Sequence, residues 1–169
     1  IYARNCTVKI IDKDTAKEYL DNYHLQSYAR DTVRIALVSN ADIVSVMTFS
    51  KPRYSSKYEW ELIRYCSHCY ILGGAEKLFH YFVSEYSPLS VISYCDRSKF
   101  QGCVYQNLGF TSSGISYSKH WHNPYTGKHI TDNLLRQRGF DQLLGKEYGC
   151  FGKGTSNEEL MLNHSFYPI

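Results

Sequence analysis

The sequence predicts an α+β fold: a central mixed, mostly antiparallel sheet with flanking helices and a C-terminal extension. Three observations carry this. "VRIALVS" and "DIVSVMTFS" are apolar, β-rich runs separated by a short polar turn, which is the pattern of a hairpin. Further on, "YEWELIRYC", a glycine-opened amphipathic stretch and "LSVISYCD" follow as strand, helix, strand, an order that calls for one parallel crossover. The chain has 169 residues, enough for one domain with a real core, and its 16 Tyr and 8 Phe predict an aromatic-rich one.

Along the chain, "CTVKII" (6–11) alternates with β-branched residues and reads as the first strand. Asp14 is placed to cap "TAKEYLDNYH", in which Ala16, Tyr19, Leu20 and Tyr23 share one helical face. The hairpin turns at "NAD", where Asn40 tolerates positive φ. "YEWELIRYC" (58–66) is the next strand. After Gly74, the residues Ala75, Leu78, Phe79, Phe82 and Val83 recur at i, i+3, i+4, i+7 and i+8, giving a helix with one buried stripe. "LSVISYCD" (89–96) is almost continuously apolar and reads as a buried strand. "FQGCVYQNLGF" (100–110) reads as a short helix stopped by Gly109. "TSSGISYSKHW" reads as a polar strand, and "NPYTGK" turns it back into "HIT". The remaining residues mix short amphipathic pieces with glycines. Residues 1–115 are therefore read as the core, and 116–169 as a basic, aromatic hairpin and extension of the same domain.

The formal net charge of +3 permits nucleic-acid contact without arguing for it, since binding needs a local basic stripe. No apolar run reaches the roughly 18 residues of a membrane span, so no membrane partner is expected. There is no signal-peptide pattern, and the chain begins at Ile1, so its natural N-terminus is expected upstream. The six cysteines do not space out as a secreted disulfide framework and are expected to be reduced and intracellular. Cys66 and Cys69 form one CxxC around His68. Without a second pair they are expected to pack rather than hold zinc, and no metal is expected.

Gly73 and Gly74 stand where a strand enters a helix. A helix start carries unpaired N–H groups and partial positive charge, and glycines let an anion approach. They equally provide a tight turn. Neither GxxxxGK[ST] nor GxGxxG is present. The downstream order, with "SVISYCD" leading to "VYQNLGF", resembles the GNAT superfamily of acyl-CoA N-acyltransferases over roughly residues 7–115. "YHLQSYAR", "VMTFSKPR", "EWELIRYC", "LGGAEKLF" and "ISYCDRSKFQGCVYQNLGF" look more narrowly like a GNAT-like domain of phage proteins. That group includes the DNA-modification protein Mom of phage Mu and domains associated with phage homing endonucleases. The resemblance implies a GNAT-like fold, acetyl-CoA or another acyl-CoA as cofactor, and N-acyl-type transfer to adenine in DNA. It also implies a phage or prophage source, expression in the cytoplasm of a bacterial host, and a possible nuclease partner or fused nuclease domain. Oligomeric state is left open. Two positions depart from the family pattern. Tyr70 stands where Gln or Arg is usual. Glu76 stands where the phage relatives carry Ser; an acid there repels a phosphate if it faces inward and suits the helix dipole if it faces water.

By this resemblance, Leu72, Gly73, Gly74, Ala75 and Lys77 would hold the coenzyme, Tyr105 would protonate the leaving thiolate, and Tyr23 and His24 would lie over the cleft. From the residues themselves, Asp96 ends a strand where a carboxylate accepts a proton or caps the following turn. Arg64 lies mid-strand among apolar residues and needs a partner, for which Asp96 is placed. Glu59 and Glu61 share a strand face, either as a base or as exposed carboxylates. For DNA the candidates are Lys51 and Arg53 in "KPRY", Arg97 and Lys99 in "DRSK", Lys119, His122 and Lys128 around the hairpin, and Arg136 and Arg138 beyond it. His120, His122 and His129 are weighed as metal ligands, but no acidic or Cys partner is near in sequence. No HNH or GIY-YIG nuclease centre is visible. Two alternatives stay open: a non-catalytic DNA-binding module serving a nuclease, and a general N-acetyltransferase.

Overall fold

The structure, a computed structural model, describes residues 1–97, 99–115, 120–148, 156–165 and 167–168. The chain divides into two compact units, Ile1–Ser112 and Ser113–Ile169.

The first unit is an α+β layer built on a five-stranded sheet of order β1-β2-β3-β4-β5. Its elements are β1 (Thr7–Ile10), α1 (Lys13–Tyr23), β2 (Val33–Ser39), β3 (Asp42–Ser50), β4 (Trp60–Ser67), α2 (Gly74–Tyr86), β5 (Val91–Ser93) and α3 (Cys103–Asn107). β1 to β4 pair antiparallel, while β5 joins β4 in parallel after the α2 crossover. This is the mixed, mostly antiparallel sheet the sequence predicts.

The hairpin closes through Asn40 (φ 50°) and Ala41 (φ 72°), with Ser39 paired to Asp42. Two successive positive φ values match the right-handed twist of the flanking strands. Alanine meets a Cβ clash in that region that glycine avoids. Ala41→Gly is therefore expected to raise unfolding stability by about 1 kcal/mol, read as a higher urea midpoint at unchanged slope.

Helix α1 is capped by Asp12, not by Asp14. Its carboxylate accepts the Thr15 N–H at 2.9 Å and the Thr15 hydroxyl at 2.7 Å. Asp14 sits one residue inside, where it still complements the helix dipole. Tyr19 and Leu20 bury against Ala36, Val46 and Cys66 on one sheet face, and Ala16 on the same helix is fully buried. Tyr23, the last residue of the helix, is exposed instead of joining them.

Helix α2 covers the other face. Ala75, Leu78 and Phe82 pack on Ile35, Leu37, Met47, Phe49 and Leu62. Phe82 lies flat on Phe49 with ring centroids 3.6 Å apart, and Trp60 meets Phe82 edge-on at 5.3 Å. Strand β5 is shorter and less buried than expected. It is an edge strand that meets only β4, so Leu89 and Tyr94, on either side of it, are left exposed. Gly109 (φ 83°) follows α3 and ends it, as its position predicts.

The second unit contains β6 (His120–His122), β7 (His129–Thr131), α4 (Asp132–Tyr148, broken at Gly139), α5 (Asn157–Asn163) and β8 (Tyr167–Pro168). Its antiparallel strands stand in the order β7-β6-β8. Trp121, Ile130, Leu135, Phe140, Leu144, Leu160 and Met161 form its core. The expected turn is present, with the Asn123 side-chain oxygen accepting the N–H groups of Tyr125 and Thr126. Of the polar strand expected over 111–121, residues 111–115 are not strand, 116–119 lie outside the described residues, and strand begins at His120. No described helix is long and apolar enough to cross a membrane.

Candidate active cleft beside strand β4

β5 pairs with β4 only from Trp60 to Leu62, opposite Val91 to Ser93. β4 then runs on to Ser67 without β5 beside it. At the parting point the Ser93 hydroxyl donates to the Leu62 carbonyl at 2.9 Å. Tyr105, from α3, hydrogen-bonds Ser93 there, and its ring stands edge-on to Phe110 at 5.8 Å. Burial holds the Tyr105 phenol above its ordinary range, against the opposing pull of Ser93, so the group is a protonated donor at neutral pH.

Arg64 follows two residues beyond Leu62 on β4. Its Nε donates to the Ser27 carbonyl at 3.1 Å and its Nη1 to the Ile63 carbonyl at 3.0 Å. These donors are met by main-chain carbonyls, where the sequence offered the Asp96 carboxylate. The Asp96 main-chain carbonyl accepts the N–H groups of Lys99 and Phe100. Arg64 lies within electrostatic reach of Tyr105 and of His24. Arg64 is thus near enough to two other sequence candidates, Tyr105 and His24, for its charge to act on both.

His24 ends α1, and its Nδ1 accepts the Gln26 N–H at 3.0 Å. Burial, with the Arg64 charge adding to it, lowers its pKa below the ordinary imidazole value. The ring is neutral at pH 7, and with Nδ1 accepting from Gln26 its proton sits on Nε2. Since the unfolded chain takes up that proton more readily, the stabilisation is complete above about pH 6.5 and lost as the pH falls below it. His24→Asn should flatten the decline of melting temperature between pH 7 and pH 5.

Tyr23 goes elsewhere. Its ring lies 4.9 Å from Tyr19 and 5.1 Å from His68, at the far side of α1. The Tyr19 hydroxyl donates to the Val44 carbonyl, accepts the His68 N–H at 3.0 Å and sits 3.2 Å from His68 Nδ1. The sequence did not reveal this knot; its only trace was a histidine inside the CxxC. Cys66 and Cys69 themselves pack in the two apolar clusters of the sheet.

The glycine loop has two sides. Gly73 takes φ 76°, a left-handed conformation, and caps α2 without any side-chain bond. A Cβ on Gly73 would meet Ala3, and one on Gly74 would meet Ile71 at 3.1 Å. Lys77 is tethered: its Nζ donates to the carbonyls of Ala3 at 2.9 Å and Cys6 at 2.6 Å. The Ala3 N–H in turn donates to the Leu72 carbonyl. Lys77 is therefore a strut between α2 and the first residues of the chain and not an open cation. What the loop offers an anion is the main chain at Ala75 and Glu76, with Glu76 half-buried and Tyr70 and Leu72 turned to solvent.

The DNA candidates divide. Lys51, Arg97 and Lys99 are exposed. Arg53 is bound to Glu61, which is wholly buried: its Nε reaches Glu61 Oε1 at 3.0 Å and its main-chain N–H reaches Oε2 at 2.8 Å. The sequence expected Glu61 on an open strand face; the returning β3–β4 loop closes over it. Glu59 accepts the Leu89 N–H at 2.7 Å. Arg53→Ala would strand a buried carboxylate. Because the Arg53 side chain is 37% exposed, the expected loss is about 2 kcal/mol, below that for a fully enclosed pair, and chemical denaturation would read it.

In the second unit, Arg138 is exposed, Arg136 is exposed and paired with Asp132 at 2.7 Å, Lys128 is half-buried, and Lys119 lies outside the described residues. His122 stacks on His129 at 4.3 Å between centroids. Among the described residues no three His, Cys, Asp or Glu side chains converge as a metal site.

The fold and the site define an α+β domain with a parallel strand pair that parts beside a half-buried tyrosine, an arginine and a neutral histidine. No family model matches the chain, and no curated protein matches it.

Proposed function

We propose that the protein is a GNAT-like N-acyltransferase whose acceptor is the exocyclic amine of adenine in DNA. The observation that carries this is the parting of β4 from β5 with a protonated Tyr105 at the fork. A bound acyl-coenzyme A would supply an activated acyl group as its thioester. The uncapped start of α2 would hold its pyrophosphate through the main-chain N–H groups of Ala75 and Glu76. The attacking amine gives its proton to water as its C–N bond forms, while neutral His24, whose Nδ1 lone pair is taken by the Gln26 N–H, offers its Nε2–H as a donor that orients the acceptor. Tyr105 gives its proton to the departing sulfur as the C–S bond breaks, and Arg64 steadies the phenolate left behind. Exposed Lys51, Arg97 and Lys99 supply phosphate contacts.

A second reading, a DNA-binding module serving a nuclease, draws on the tethered Lys77 and the packing of Gly73 on Ala3. The test is incubation with isotope-labelled acetyl-CoA and DNA, followed by digestion and mass spectrometry of the nucleosides. Label on adenine is the expected result. DNA binding without label at any acyl donor supports the module. Label on free amines but never on DNA supports a general N-acetyltransferase.

A further inference from the structure

The proposed acceptor raises a physical difficulty. The amine of a paired adenine lies inside a stacked duplex, where a group at the bottom of a protein cleft does not reach it. The residues around the cleft mouth bear on this. The loop from Lys51 to Glu59 and the chain leaving β5 carry a concentration of rings and cations. Tyr54 is 64% exposed, Tyr94 41% and Phe100 56%. Tyr54 and Tyr94 come from separate segments and meet edge-on, 5.6 Å apart at 85°, so that their ring faces point in different directions. Lys51 sits over Trp60 at 5.3 Å, Arg53 over Tyr54 at 5.4 Å and Lys57 over Tyr58 at 5.9 Å.

This surface is anchored. The Arg53–Glu61 pair bolts the loop to β4, with the carboxylate wholly buried beneath it. It also adjoins the cleft, since Arg64 is within electrostatic reach of both Arg53 and Tyr54, and Tyr94 within reach of Arg53, Tyr54 and Tyr58. Its exposed charges are cations, Lys51, Arg53, Lys57, Arg97 and Lys99, while the acids of the same segments, Glu59 and Asp96, are half-buried. The outer face of α1, by contrast, carries Asp14, Glu18 and Asp21. Exposed rings flanked by cations suit a strand whose base faces are uncovered, because stacking needs an unpaired base and the cations follow its phosphates. Duplex readers instead place a helix or ribbon with base-edge donors in the major groove.

We infer that the β3–β4 loop and the residues following β5 form a stacking platform for single-stranded DNA, laying an unpaired base toward the Arg64–Tyr105 cleft. This rests on the proposed transferase reading for its purpose, but not for its test. Fluorescence anisotropy with an end-labelled oligonucleotide, single-stranded and annealed to its complement, needs no coenzyme. The single strand should bind at least tenfold more tightly than the duplex. Tyr54→Ala and Tyr94→Ala should each weaken it about tenfold, while Tyr54→Phe keeps the ring and the affinity. Arg97→Glu should reduce the salt dependence of binding, and Lys17→Ala, on the far face, should change nothing. Both tyrosines are exposed enough for their alanine variants to fold, which circular dichroism checks. Equal or tighter binding of the duplex, or indifference to Tyr54→Ala, overturns the platform. Single-strand binding by a protein that ignores acetyl-CoA keeps the platform and removes the transferase. Acetyl-CoA binding with no affinity for single strands does the reverse.

Discussion

Replacing Tyr105 by phenylalanine should lower the rate of acyl transfer about 100-fold while leaving the melting temperature within a few degrees of the parent. The substitution removes one oxygen. The ring keeps its edge-on contact with Phe110 and its place against the main core, so packing is conserved. What disappears is the proton donor at the strand fork and its hydrogen bond to Ser93. Loss of a positioned general acid typically costs about 10²–10⁴ in rate, and about 100-fold is the lower end of that range. On the proposed mechanism the loss should fall on kcat and spare KM, since the phenol would act on the departing sulfur and not on binding. The pH profile adds an independent sign. The phenol is held above its ordinary range, so the parent's activity should persist into alkaline solution until Tyr105 ionises, and the variant should lack that limb. A variant with full activity would remove Tyr105 from the chemistry.

Phe82→Ala should cost about 4 kcal/mol of unfolding free energy. Phe82 is fully buried where the sheet and α2 meet. It stacks on Phe49 at 3.6 Å and on Tyr86 at 5.1 Å, and receives the edge of Trp60 at 5.3 Å. Truncation therefore removes a ring from a cluster of rings that do not collapse into the space, so the cavity contributes on top of the lost burial. Val83, its neighbour in the same sequence stripe, is 41% exposed, and Val83→Ala should cost less than 1 kcal/mol. Urea denaturation of the two variants side by side reads the contrast. Similar losses for both would mean that α2 does not present the face described.

The parts of the fold that were legible in the sequence are those fixed locally. The hairpin at Asn40, the stripe of α2 from Ala75 to Phe82, the stop at Gly109 and the parallel crossover are all written in residues close together in the chain. Phe82 and Val83 show where periodicity blurs: both fit the stripe, and only the depth of the sheet beneath decides which is buried. The cap of α1 moved from Asp14 to Asp12 because two carboxylates one turn-position apart look alike until the helix start is placed. Of the candidate site, Tyr105, Arg64 and His24 were named from the sequence, and the Arg64 charge acts on both of the others. Their partners were not found, because these are main-chain carbonyls and loops: Arg64 donates to the Ser27 carbonyl. Lys77 reaches Ala3 and Cys6 across most of the length of the first unit, a pairing that no local pattern encodes. Glu61 was read as open because a strand pattern carries no record of the loop that folds back over it.

The most direct test of the proposed activity is calorimetric titration of the purified protein with acetyl-CoA, alongside Gly74→Asp and Glu76→Gln. Saturable binding is expected, with a raised melting temperature worth about 2.7 kcal/mol at a hundredfold excess over Kd. Gly74→Asp should abolish it, by setting a carboxylate at the helix start beside Ile71. Glu76→Gln should tighten it a few-fold by relieving repulsion of the pyrophosphate. No heat at millimolar acetyl-CoA from a protein that remains folded, with both variants equally silent, would contradict a coenzyme site at the start of α2.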